Sequence, residues 1–375
     1  MEGEQIAKIV PDSATLFPIL SQPTGIARLA SQATHADDGH LVEFKALNVR
    51  SVLNKSTSKR LRWLSWSINP YRGCEFGCKY CYARYTHEFM ELRDPLAFER
   101  IIFLKQNAAW LLEQELRRID PADEIAIGTA TDPYQPIERR ARITRGLLEV
   151  FSRRQGYHLG IVTKSTLILR DLDLLVQIAR RNTLVLHLTI TTPDAKLARL
   201  LEPRAPRPDL RFQAVKRLRQ AGLRTGILCC PLLPGITDSQ QAIDEMARRA
   251  AAVDASFLAA NPLFLKPCSR PTFLSFVREH FPSLMEDYTA RFANADFAAP
   301  SYRRQIAERV NQACHRHNLG RRLMPEIGPP ALQTGDTLPF TSPSQTTPAP
   351  LSTNPPPRKP PAKAAPLQRN LFAAR

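Results

Sequence analysis

The strongest constraint on the fold is a recurring pattern: short apolar runs separated by amphipathic helical stretches. Five such runs stand at 124–129 (EIAIGT), 157–163 (YHLGIVT), 183–190 (TLVLHLTI), 223–229 (LRTGILC) and 256–261 (SFLAAN). Each is rich in Ile, Val, Leu or Thr and reads as a strand buried on both faces. Between them, Ile143, Leu147, Val150 and Phe151 share one stripe of a helix over 138–154. A helix over 208–221 opens on Pro208, carries Leu210, Ala214, Leu218 and Ala221, and stops at Gly222, which can take a left-handed cap. A helix over 238–252 opens with Asp238 and Gln241 at capping-box spacing. This β-α-β-α order predicts an α/β fold with a parallel sheet and right-handed crossovers. Helical patterns over 270–280, 284–293 and 301–318 predict further helices packed on the sheet's edge.

Composition divides the 375 residues into an N-terminal extension (1–60), a periodic core (61–325) and a tail (326–375). From Pro325 onward lie 13 of the 32 prolines, so the tail is expected to be extended and disordered. Residues 367–372 read as a docking motif or a fraying end. No apolar run reaches the ~18 residues of a membrane span. Acidic residues stand where a signal peptide needs basic ones. Seven cysteines without regular spacing argue against a disulfide framework, so a reducing cytoplasm is the expectation.

The sharpest local signal is Asn69-Pro-Tyr-Arg-Gly-Cys74-Glu-Phe-Gly-Cys78-Lys-Tyr-Cys81. Composition alone would place such a cysteine triple in this chain about 0.002 times, so chance is a poor account. Three thiolates this close can converge on one metal centre, and Gly73 and Gly77 give the loop backbone freedom. A structural zinc site needs a fourth ligand, for which His87 is the nearby candidate. An iron–sulfur cluster can instead leave one iron open to a substrate or cofactor. A non-catalytic iron–sulfur or zinc module is the alternative at this point.

C-x3-C-x2-C with Tyr80 before the last cysteine resembles the radical S-adenosylmethionine (radical SAM) superfamily. The resemblance implies a partial (β/α)6 barrel of the TIM type, with extra C-terminal helices and the cluster loop after a first strand at 63–68 (WLSWSI). Around it the chain is similar to the spore photoproduct lyase-like, or DNA repair photolyase-like, group. The similar segments are 69–74 (NPYRGC), 128–136 (GTATDPYQP), 162–165 (VTKS), 189–192 (TITT), 202–204 (EPR) and 231–238 (PLLPGITD). Each falls at or just past the carboxyl end of an expected strand, where a β/α barrel carries its chemistry.

The resemblance implies that Cys74, Cys78 and Cys81 hold a 4Fe-4S cluster and that Tyr80 lies near the adenine of S-adenosylmethionine. Thr131 and Asp132 are candidates for the cofactor's amino or carboxylate groups, or for a turn. Lys164 ends a buried strand, where a lysine needs a partner, and the cofactor carboxylate is a natural one. Thr189 and Thr191 are candidates for the ribose, and Arg204 for a carboxylate or for Glu202. Cys229 and Cys230 read as hydrogen donor, radical relay or small apolar filler. Cys268 and Cys314 read as isolated thiols. One departure stands out: spore photoproduct lyases carry a hydrogen-donating cysteine where an ungapped alignment places Thr129. A hydroxyl does not quench a carbon radical as a thiol does, so spore photoproduct repair itself is not expected.

The function so implied is reductive cleavage of S-adenosylmethionine and hydrogen abstraction from a substrate, fed by a flavodoxin- or ferredoxin-type reductant. The balance of 52 Lys+Arg against 35 Asp+Glu, net +17, suggests a nucleic-acid substrate, with a protein or a small anionic metabolite as the alternative. The excess concentrates at 138–154, 199–224 and 303–322, on stretches where a solvated helix face is the plainer reading.

Overall fold

The structure is a computed structural model that describes residues 24–33, 35–39, 42–56 and 64–320. The chain divides into a unit Met1–Pro325 and a unit Glu326–Arg375. The second, with the expected tail and its 367–372 motif, lies outside the described residues, as do Trp63, Arg321 and Arg322.

Seven strands form the main sheet: Leu53–Lys55 (β1), Trp66–Ile68 (β2), Glu124–Ile127 (β3), His158–Thr163 (β4), Thr183–Thr189 (β5), Thr225–Leu232 (β6) and Leu258–Pro262 (β7). They lie side by side in chain order. β1 runs antiparallel to β2, and every later pair is parallel. Unbroken chain order means that successive connections step the same way around the sheet, as in a β/α barrel. Neither edge strand pairs further among the described residues, so the barrel is partial and open.

Register assigns the two faces of the sheet. Ile68, Ile127, Ile161, Leu186, Thr225 and their strand neighbours two residues away share one face. That face packs on the helices Ile143–Ser152, Leu172–Ala179, Pro208–Gln220 and Gln240–Ala252 in one apolar core. Ser67, Ala126, Gly160, Val185 and Val162, His187, Gly226 occupy the other. The helix-packed face is mostly aliphatic, while the inner face mixes Ser67, Ala126, Gly160, His187 and Gly226 with Val162 and Val185; its Ala126 and His187 are buried as well. At Gly226 an added Cβ would meet the Phe257 ring at 2.2 Å, so the lumen is already filled there.

Several boundaries move for local reasons. The helix expected over 138–154 breaks at Arg142 (φ 52°) into Glu138–Ala141 and Ile143–Ser152. The Glu138 carboxylate reaches forward to accept from the backbone N–H of Thr144 (2.9 Å) and Arg145 (3.2 Å), capping the second piece. The capping box at Asp238 does not form: Ser239 caps Gln240–Ala252 by accepting from Ala242 N, while Asp238 accepts from Gly235 N and the Tyr302 hydroxyl. The stripe on Pro208–Gln220 is rotated, with Leu210 43% exposed and Arg211 1% exposed.

A second sheet carries the cysteine loop. Tyr71–Arg72, immediately before it, pairs antiparallel with Ile101–Leu104, which pairs parallel with Val42–Ala46. The 1–60 segment thus supplies strands to both sheets. Helices Arg270–His280 and Met285–Phe292 share an apolar cluster with Cys74 and Cys78 rather than lying on the sheet's edge, whereas Pro300–Arg316 packs beside Gln240–Ala252 and β7.

Glu138 joins these layers, because Tyr71 donates to it and Arg170 pairs with it at 2.7 Å. Glu138→Ala leaves the helix start uncapped and Tyr71 unsatisfied. A loss of about 3 kcal/mol is expected in denaturant unfolding of the metal-free protein.

Candidate functional site

The cysteine loop lies across the carboxyl ends of β2–β5, held by contacts distant in sequence. Gly73 (φ +82°) and Gly77 (φ +62°) take the left-handed region. An added Cβ would lie 2.8 Å from Ile101 O at Gly73, and 2.1 Å from Glu99 Oε2 and 2.6 Å from Arg204 Nη2 at Gly77. The two glycines are thus required both for conformation and for close packing.

Thr131 donates to Gly73 O at 2.5 Å. Gln135 donates to the same carbonyl (3.3 Å) and accepts from Glu75 N (2.9 Å), while Glu75 accepts from Ile137 N (2.7 Å). Arg204 donates to Glu75 O and pairs with Glu99 at 2.6 Å, not with Glu202. Both oxygens of Asp132 are engaged: one accepts from Tyr134 N (2.9 Å) and Thr163 Oγ1 (2.6 Å), the other from Lys164 N (2.7 Å). Thr131, Asp132 and Arg204 therefore brace the loop and tie the end of β3 to that of β4.

A buried polar cluster lies under the loop. Tyr80 donates to Glu202, and its hydroxyl lies 2.9 Å from Thr191 Oγ1. Thr191 donates to Glu202 at 2.8 Å. Arg211 pairs with Glu202 at 2.5 Å and donates to Thr189 O at 3.0 Å. Burial works to raise the Glu202 carboxyl, but Arg211 and Lys164 outweigh it and hold it below its ordinary value. The Lys164 ammonium lies 5.6 Å from the Tyr80 ring centre. Burial opposes its charge, yet Cys78 and Glu202 hold it up to about 12.

Cys74 and Cys78 are buried and Cys81 is half-buried. Burial first, then the Asp132 carboxylate, and then Cys78 and Cys81 push the Cys74 thiol up; burial pushes Cys78 up to about 12. The three thiols are near enough to act on one another electrostatically. Among the described residues, no group of three His, Cys, Asp or Glu is gathered as around a single ion. His87 is spent in the core: its Nε2 lies 3.0 Å from Ile101 O and its ring meets Phe98 and Phe103 edge-on.

The neighbouring thiols Cys229 and Cys230 face opposite sides of β6. Cys229 is in register with Ala260 on the helix-packed face and belongs to the main apolar core. Cys230 alternates with it toward the lumen, with Asn261 donating to its sulfur at 3.8 Å. Thr129 accepts from Asn69 Nδ2 at 3.2 Å, and Tyr82 donates to its carbonyl. Cys268 lies beside Ser269, and Cys314 is buried in the core.

The sequence profile of the Radical SAM superfamily matches residues 68–248. An uncharacterized protein of Mycobacterium tuberculosis is 32% identical over 270 residues, 72% of this chain and 79% of that protein. The chain belongs to the radical SAM superfamily. An uncharacterized protein of Methanocaldococcus jannaschii is 30% identical over 178 residues, 48% of this chain and 64% of that one. Among solved structures, a mutant of spore photoproduct lyase is similar, with a TM-score of 0.55 at 17% identity, over 74% of this chain and 80% of that one. The lyase complexed with dinucleoside spore photoproduct gives 0.54 at 16% identity over the same shares. These likenesses establish the fold. Superfamily membership implies an enzyme, a 4Fe-4S cluster and S-adenosylmethionine.

Glu202, Arg211, Gln135, Glu75 and Asn69 were not singled out as site residues in the sequence. Arg211 carried a signal, a charge beside the buried Phe212, but the apolar spacing of the sequence favours a stripe through Leu210, which the fold leaves exposed. Glu202→Gln strands the buried Arg211 charge, so a loss of about 3 kcal/mol is expected at pH 7. A depressed folded-state value means that the ionised Glu202 stabilises fully above the ordinary carboxylate range and loses that effect as pH falls through it. The gap between wild type and Glu202→Gln should therefore narrow below about pH 4 in denaturant titrations.

Proposed function

We propose that Cys74, Cys78 and Cys81 ligate the 4Fe-4S cluster and that the lumen above β3–β6 receives S-adenosylmethionine and a nucleic-acid substrate. The observation that carries this reading is the placement of the loop bearing three free cysteines, which Thr131, Gln135 and Arg204 hold at the carboxyl ends of the strands. Soft thiolates suit iron–sulfur ligation, and three of them leave one iron open. When bound, the cluster and S-adenosylmethionine supply one-electron reductive cleavage that yields methionine and a hydrogen-abstracting 5′-deoxyadenosyl radical, the electron coming from a flavodoxin- or ferredoxin-type donor.

The chain's own residues position and shield this chemistry. Lys164, held protonated beside Tyr80, is a counter-charge for the cofactor carboxylate. Tyr80, fixed by Glu202 and Thr191, presents its ring to the adenine, and Thr189 lines the inner face toward the ribose. Thr131 and Asp132 act through the backbone they hold, placing the loop rather than spending their side chains on the cofactor. Cys230, on the lumen side, is the thiol suited to return a hydrogen atom; Cys229 is packing.

Two observations support nucleic acid over the other substrate classes. Arg139, Arg140, Arg142, Lys196, Arg199 and Arg207 stand exposed in connections that follow the carboxyl ends of β3 and β5. The similar lyase is seen complexed with a dinucleoside photoproduct. In the third basic stretch, Arg309 donates to Asp238 O and Arg316 pairs with Asp244, so these two are engaged within the fold.

Anaerobic reconstitution with iron and sulfide should give about four irons per chain, and 5′-deoxyadenosine under a low-potential reductant. Cys78→Ser should lose both; zinc in place of iron, or no 5′-deoxyadenosine from the wild type, overturns the assignment. Oligonucleotide affinity should fall steeply with salt, and Arg139→Ala with Arg199→Ala should flatten the slope. Salt-independent binding removes the nucleic-acid reading.

A further inference from the structure

Outside the cysteine centre, the helix Gly25–Ser31 and the 49–54 segment enclose a cavity of about 240 Å³. Its polar lining is Arg28, Arg50, Ser51, Asn54, Arg72 and Lys105; four of the six are cations, and no lining residue is acidic. Arg28 and Arg50 are exposed at its mouth, while Lys105 is only 3% exposed. The Lys105 ammonium forms no hydrogen bond or ion pair with any described residue. Arg72 Nε is likewise buried without a partner; its Nη1 reaches only Thr86 O, at 3.5 Å. The carboxylate that acts on Lys105 is Glu115, whose oxygens already accept from Val52 N (3.1 Å) and Leu53 N (2.8 Å). Burial and the facing Arg72 together press the Lys105 ammonium down to about 7.

A buried cation beside a second cation is costly unless a counter-charge arrives. We infer that this cavity binds a phosphate-class oxyanion, held by Lys105 and Arg72 at its floor and by Arg28 and Arg50 at its mouth. Arginine forks match the paired oxygens of a phosphate, and the lysine adds a point charge. The volume lies below the usual range for a drug-sized ligand, so it suits a phosphate headgroup and little more. The phosphate comes from a phosphorylated small molecule or from the end of a nucleic acid. The site does not rest on the cluster assignment, and it stands whichever substrate the lumen takes.

The test is calorimetric titration of the full-length, anaerobically purified protein at fixed ionic strength. The probes are inorganic phosphate, adenosine monophosphate, and a short oligonucleotide with and without a 5′-phosphate. One phosphate per chain is expected, with Lys105→Met and Arg50→Ala each weakening it at least tenfold. Adenosine monophosphate binding more tightly than phosphate identifies the small-molecule source. A 5′-phosphate preference that free phosphate competes away identifies the nucleic-acid end. In phosphate-free buffer, Lys105→Met should melt no lower than wild type, since it removes an unpaired buried charge. Absence of saturable phosphate binding, binding unchanged in both variants, or a lower melting point for Lys105→Met in phosphate-free buffer overturns the site.

Discussion

The buried ion pair between Glu202 and Arg211 is the interaction on which the site depends. Glu202 also takes the Tyr80 and Thr191 hydroxyls, and Arg211 takes the Thr189 carbonyl. One pair therefore joins the cysteine loop, the end of β5 and the helix Pro208–Gln220. Burying two charges contributes little net stability, and a well-packed apolar pair would often serve the fold as well. What it provides is direction, because a satisfied polar network admits few alternative arrangements. The loop beside it has Gly73 and Gly77, so its shape has to be imposed from outside.

The two faces of the sheet divide the remaining work. Ile and Leu on the outer face, packed on helices, hold the half-barrel together. The inner face carries glycine, alanine and polar residues beside Val162 and Val185, and Phe257 fills the lumen at Gly226. The same alternation separates Cys229 from Cys230 and gives the two adjacent thiols different surroundings. Charge is divided similarly. Part of the +17 stands in connections at the carboxyl end of the barrel, and part is absorbed by acids on the outer helices and in the turn after one of them. A net charge alone could not distinguish the two.

Much of this was legible in the sequence, and the remainder was hidden for identifiable reasons. The five apolar runs became strands because burial on the helix face leaves an aliphatic signature within a few residues. The cysteine spacing is local and carried the family. Arg211, Glu75 and Gln135 were not legible, because their partners lie many residues away and a lone charge on a helix looks solvated. The break at Arg142 was missed because its cause is the Glu138 side chain reaching forward to Thr144. Leu53–Lys55 and Val42–Ala46 were placed in an extension because short strands carry no periodicity until a partner is known. The cationic cavity was invisible for the same reason: Arg28, Arg50, Arg72 and Lys105 meet only in the fold.

The central claim is that this loop holds a four-iron cluster with one iron open to S-adenosylmethionine. Electron paramagnetic resonance of the reconstituted, reduced protein, recorded with and without S-adenosylmethionine, addresses it most directly. A reduced 4Fe-4S signal whose g-values shift when the cofactor is added is the expected result. A signal unchanged by the cofactor, or a protein that takes up zinc and gives no cluster signal, contradicts it.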